Sequence, residues 1–174
     1  MLLWPPWRWS TSLSKSDPSS HQPIKGIFAP KPGDAAIMGK RHQARELALQ
    51  VLFHMELNQG DPGDCFDLIS SSFEPPDASS SFSRQLVVGV WEQKEELDSL
   101  IRKASKHWRL ERMPIVDRNV LRIALYEVLY LKDIPPKVSI DEAVELGKKF
   151  GTEESGAFIN GVLDSIYHKM EENS

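Results

Sequence analysis

The stretch Ile115-Val116-Asp117-Arg118-Asn119-Val120-Leu121-Arg122-Ile123-Ala124-Leu125-Tyr126-Glu127-Val128-Leu129-Tyr130-Leu131 decides the fold. Pro114 stands just before it, where a first helical turn tolerates the missing N–H. Its apolar residues leave almost no side of a helix polar, and a helix of that profile is the buried centre of a bundle. The spacing predicts this central helix over 115–131.

Working outward, the neighbours read as amphipathic helices. Ala44, Leu47, Ala48, Val51, Leu52 and Met55 mark one face of a helix over 41–58, closed by Asn58-Gln59-Gly60-Asp61-Pro62-Gly63. A short helix follows over 64–73, stopped by Glu74-Pro75-Pro76-Asp77. Phe82, Leu86, Val90, Leu97, Ile101 and Ala104 predict one helix over 82–104. Beyond Asp133-Ile134-Pro135-Pro136, Ser139 and Glu142 have the spacing of a capping box, and Gly151 reads as a left-handed stop. A last helix over 155–170 carries Phe158, Ile159, Val162, Leu163 and Ile166. Within it, Asn160-Gly161 suggests a close helix crossing at Gly161 with Asn160 bonding a neighbouring segment. No segment alternates with period two, so the fold class is all-α, a bundle of about six to seven helices.

Residues 1–37 differ from this body. They hold six of the 12 prolines and three of the five tryptophans, with no helical or strand period. The expectation is a disordered extension. We read it as a stretch upstream of a natural start at Met38, over a genuine tail or a poor targeting signal, with 38–172 as the helical domain. It carries four of the 21 basic and two of the 25 acidic residues, leaving the body 17 basic and 23 acidic, a net of −6. That balance argues against strong non-specific nucleic-acid binding.

The composition excludes several chemistries. One cysteine, Cys65, rules out an internal disulfide and a multi-cysteine metal site; beside Phe66 it reads as a small core residue. The five histidines show no i, i+3 or i+4 pairing, so no metal is expected. Phosphate-binding glycine loops and nucleophile motifs are missing from the sequence. We therefore expect no catalytic residues and no cofactor. No apolar run reaches the length of a membrane span.

Three features remain. At about 100° per residue, Phe53 falls nearly opposite the apolar stripe of the first helix, beside Glu46 and His42. It either packs under a neighbouring element or offers an exposed ring. Lys40, Arg41 and Arg45 gather at the head of that helix, as a solvated turn or as a phosphate-binding group next to the ring. Glu153 and Glu154 either complement the dipole of the last helix or accept hydrogen bonds from base edges.

Four blocks carry a family resemblance: Arg45 to Phe53; Trp108 with Arg112-Met113 and Asp117 to Glu127; Asp133-Ile134-Pro135 with Ile140 to Gly151; and Ser155 with Phe158 to Asp164. In this order they resemble the NusB transcription antitermination factors over about 38–170. The resemblance implies a helical RNA-binding protein that holds the boxA element of ribosomal RNA leader transcripts together with the ribosomal protein NusE. In that role it helps the RNA polymerase antitermination complex. It places RNA contact at Lys40, Arg41, Arg45, Phe53, Glu154 and Phe158, and the NusE-facing surface at Asp117, Arg118 and Arg122. It further implies a cytoplasmic, non-catalytic protein.

The sequence departs from the family at several of these positions. Phe53 lacks the phenol of the usual tyrosine, Glu154 is longer than the usual aspartate, and Gly156-Ala157 replace residues that are basic in some members. Two other readings are a domain like the RNA-binding part of ribosomal RNA cytosine methyltransferases, and a helical scaffold without RNA.

Overall fold

The computed structural model describes residues 39–72, 77–105 and 108–172; the 1–37 extension, Phe73 and the 74–76 turn lie outside them. The described elements are α1 (Lys40–Asn58), α2 (Pro62–Ser70), α3 (Asp77–Glu92), α4 (Lys94–Ala104), a single 3-10 turn (Leu110–Arg112), α5 (Ile115–Tyr130), α6 (Pro136–Phe150) and α7 (Ser155–Glu172). Among the described residues there is no strand. None of their helices is long and apolar enough to cross a membrane.

The central helix is α5, as its composition requires. Val120, Leu121, Ile123, Ala124 and Leu125 are buried, and α1, α3, α4, α6 and α7 all pack on it. Leu97 and Ile101 of α4, Leu86 of α3, Leu146 of α6 and Ile159 and Leu163 of α7 complete the core. The expected helix over 82–104 bends at Gln93. The i→i−4 bonds Gln93 N–H to Gly89 C=O (3.0 Å) and Leu97 N–H to Gln93 C=O (3.0 Å) persist through the bend. Its effect is to let α3 pack on α1 while α4 reaches α5 and α7.

Ion pairs, from exposed at one end to buried at Arg45, fix how α1 lies on α5. Arg41 meets Asp133 beyond the C-terminal end of α5, Arg45 meets Glu127, and Glu56 meets Arg118 and Arg122. The two helices are therefore antiparallel, with the head of α1 at the end of α5 and the tail of α1 at its start. The apolar stripe of α1 does not tell the whole burial. Arg45, Leu49 and Gln50, outside the stripe, are buried as well, because α2, α3 and α5 all pack on α1.

Three local expectations are corrected. Helix α6 begins at Pro136 rather than at a Ser139 cap, with Pro in the first turn. Ser139 Oγ instead donates to the buried Glu127 carboxylate at 2.8 Å, an acceptor that needs more than one donor inside the core. Gly151 has φ −94° and ψ −156°, not a left-handed geometry. A Cβ there would stand 2.6 Å from Ser155 Cβ and 2.7 Å from the Gly147 carbonyl oxygen, so close approach of the chain selects glycine. Gly161 is exposed with nothing within 4 Å of its Cβ position, and Asn160 bonds Asp164 of its own helix at 2.9 Å. No helix crossing occurs there. Cys65 is buried, and burial pushes its thiol pKa up, as a core residue should show.

Candidate nucleic-acid interface

The expected site residues divide between two ends of the molecule. Lys40 and Arg41 are exposed at the head of α1, and Arg41 Nη2 reaches Asp133 Oδ2 at 2.9 Å. Arg45 corrects the sequence-based expectation of a surface cation. It is 3 % exposed, bonded to Glu127 through Nε–Oε1 (2.7 Å) and Nη2–Oε2 (2.8 Å), with Glu142 at 3.4 Å. A fork–fork pair of this kind uses the guanidinium inside the protein and leaves it closed to phosphate. Arg41 and Arg45 also stand over the Phe82 ring, at 5.4 and 5.6 Å.

Next to Arg45, the polar side of α1 meets α6. His42 Nδ1 lies 2.6 Å from Glu142 Oε2 and its Nε2 lies 3.1 Å from Glu46 Oε1. Lys149 Nζ donates to the same Glu46 oxygen at 2.7 Å. Hydrogen bonding to Glu46, then to Glu142, raises the His42 pKa against the opposing effect of burial. Phe53 continues this stripe about 10 Å further along α1. It is half-buried and packed against the core, so the packing alternative prevails over a ring fully displayed to solvent. One turn on, Glu56 binds Arg118 and Arg122 in the first turns of α5, which puts Phe53 at the α5 N-terminal end.

The expected partner surface is largely internal. Arg122 is 4 % exposed and shared among Asp98 (Nε–Oδ1 2.7 Å, Nη2–Oδ2 2.9 Å), Asn119 and Glu56. Arg118 bonds Glu56 and donates to the Leu110 carbonyl at 3.1 Å. Arg122 knits α1, α4 and α5, Arg118 ties α1 and α5 to the 3-10 turn, and Arg122 is closed to a partner; that part of the expectation is corrected. The cause is the pair of carboxylates Glu56 and Asp98, which face these arginines from α1 and α4 and require cationic neighbours.

What the structure does bring together is Asp117, Glu154 and Phe158. With Trp108, Met113, Pro114, Thr152 and Ser155 they line an open cleft of about 130 Å³ where α5 and α7 both begin. Asp117 is buried at its floor, and desolvation raises its pKa, offset by a hydrogen bond from Ser155. Its Oδ1 has no hydrogen-bond partner among the described residues. The Ser155 hydroxyl also receives the Thr152 N–H at 2.8 Å, so this one residue ties the 151–154 turn to α5. Phe158 meets the Trp108 ring edge-to-face, with centroids 6.0 Å apart at 60°.

The head of α1 lies at the other end of α5, and Lys40 and Arg41 are thus not neighbours of this cleft. Sequence reasoning gave no site role to Trp108, a wall of this cleft, or to its exposed neighbours Arg109 and Arg112. The signal was available as Trp108-Arg109-Leu110-Glu111-Arg112-Met113-Pro114, an aromatic and two cations in a stretch too short and too proline-bound for a helix.

Residues 42–168 match the sequence profile of the NusB family. The chain is 51 % identical over 131 residues to the transcription antitermination protein NusB of Desulforapulum autotrophicum, covering 74 % of this chain and 92 % of that protein. Its structure superimposes on NusB of T. maritima with TM-score 0.69 and 37 % identity, over 74 % of this chain and 91 % of that one. It also matches a chain from the complex of antitermination factors NusB and NusE with dsRNA, with TM-score 0.68 and 32 % identity, over 76 % and 99 % of the two chains.

Proposed function

The chain belongs to the NusB family, and from that premise we propose that it is a non-catalytic RNA-binding factor in transcription antitermination. It acts in the cytoplasm on the boxA element of ribosomal RNA leader transcripts, jointly with the ribosomal protein NusE, within the RNA polymerase antitermination complex. The observation that carries this reading is the cleft at the α5–α7 end, where Glu154 and Phe158, the positions the family resemblance assigns to RNA, share walls with Asp117. The structural match to a NusB–NusE complex holding dsRNA supports the same reading.

The arrangement supplies acceptors and an aromatic face for bases, and Phe53 stands at the same end of α1. Phosphate attraction at the far end rests on Lys40 and Arg41. An RNA strand that touches both regions spans the length of α5, about 24 Å for its 16 residues. With so few exposed cations at these two regions, the free protein binds RNA modestly and its affinity falls only gently with salt. NusE supplies the remaining affinity by extending the basic surface, next to Asp117.

The test is titration of boxA RNA into the full chain with and without NusE, together with crosslinking in cells and sequencing of the attached RNA. Tighter binding with NusE and enrichment of ribosomal leader transcripts are expected. Equal affinities would remove the partner from the proposal, and no leader enrichment would remove the function.

A further inference from the structure

The segment 108–113 is neither core nor idle loop. Trp108 is 58 % exposed, the largest exposure among the large apolar residues of the described chain. Arg109 and Arg112 beside it are exposed, while Leu110 and Met113 between them are buried anchors. Glu111, the acidic residue of this run, reaches Arg102 at 3.6 Å.

The backbone is held at both ends. Trp108 N–H donates to the Ser105 carbonyl at 2.9 Å, and Arg118 Nη1 donates to the Leu110 carbonyl at 3.1 Å. A 3-10 turn fixed in this way presents its outer side chains with little ordering left to do on binding. Its tryptophan then forms one wall of the cleft that Phe158 lines from α7.

From this we infer that Trp108, Arg109 and Arg112 are an RNA-binding element of this chain, the exposed Trp108 ring, backed edge-to-face by Phe158, stacking on one unstacked base while the two arginines hold the flanking phosphates. The inference rests on the RNA reading above and adds to it a second cationic group, at the opposite end of α5 from Lys40 and Arg41. Aromatic faces flanked by cations are what single-stranded RNA requires: stacking tolerates any base, and the arginines track the backbone. The floor sets a preference. The exposed Glu154 carboxylate beside the buried Asp117 offers acceptors, so the favoured base presents N–H donors, and guanine carries a ring N–H and an amino group side by side. Phosphates stay outside, away from those carboxylates and beside the arginines.

The experiment is fluorescence anisotropy of a labelled single-stranded boxA oligonucleotide with the full chain at several salt concentrations. The variants are Trp108→Ala, Trp108→Phe, Arg109→Ala, Arg112→Ala and, as control, Trp91→Ala, the exposed tryptophan of α3. Loss of one stacking ring predicts roughly 5- to 150-fold weaker binding for Trp108→Ala with an unchanged salt slope, largely restored in Trp108→Phe. Each arginine variant lowers the slope of log affinity against log salt by about 0.7. Trp91→Ala binds like wild type.

All these side chains are exposed, and melting curves identify any variant that misfolds. If Trp108→Ala binds as wild type while Glu154→Ala is weakened, this inference falls and the RNA reading stands. If wild type binds no RNA, both fall. If Trp108→Ala loses only NusE, the cleft is a protein-docking site and the inference is overturned.

Discussion

Arg45 and Asp117 are both buried charges, and their surroundings assign them opposite energetic signs. Arg45 has a complete partner in Glu127, itself 1 % exposed and further bonded by Ser139. Removing the guanidinium leaves a carboxylate unpaired in the core. Arg45→Ala is expected to lose about 3–5 kcal/mol of stability, read as a fall in the urea midpoint. Asp117 has no cation against it, and desolvation lifts its pKa above the ordinary 3.8. A raised carboxyl pKa means that ionisation in the folded state is penalised: the acid form carries no penalty below 3.8, and the loss sets in as pH rises through the folded value. Asp117→Asn should therefore raise the thermal midpoint at neutral pH, with the gain disappearing in acid. Melts at pH 7.5 and at pH 3 check both halves.

Among the elements, α1 meets α6 through titratable groups. His42 sits between Glu46 and Glu142, Lys149 completes Glu46, and Arg45 faces Glu142 from the buried side. The His42 pKa is raised above 6.5, chiefly by the hydrogen bond to Glu46. The stability it contributes is thus fully present below 6.5 and is lost as pH climbs through the raised value. His42→Gln should flatten the decline of the thermal midpoint over that window, whereas wild type declines. A steep decline retained in the variant would assign the effect to another group. At the other end of α6, Gly151 shows how tightly the next element is joined. Ser155 and the Gly147 carbonyl occupy the place of a Cβ, and Ser155 is also the residue that bonds Asp117. The α6–α7 turn and the cleft floor are one packed unit.

At the scale of the molecule, the candidate interface is spread over two ends of α5 rather than gathered into one patch. A helical body from residue 39 onward contains both ends, and the family profile spans 42–168. We expect a chain started at Met38 to melt within about 0.5 kcal/mol of the full chain and to bind boxA RNA equally well. Denaturation and anisotropy on the two chains test this, and a weaker short chain would give residues 1–37 a part in binding.

Much of this was legible before any coordinates. The nearly all-apolar run 115–131 determined the central helix, and the period of the flanking segments determined an all-α fold, because burial of a helical face imposes its own spacing on the residues. α5 as centre and the order of the helices follow from that periodicity, and Cys65 as core from its place beside Phe66. Only the tertiary structure decided which polar residues face outward. A wheel shows the angle of Arg45, Phe53, Arg118 and Arg122 around their helices but not what lies against them. The carboxylates that bury Arg45 and Arg122 come from Glu127, Glu56 and Asp98, between 24 and 82 residues away. Exposure and charge pairing are properties of pairs brought together by packing, and so the burial of Arg45 and Arg122 emerged only once the helices were in place.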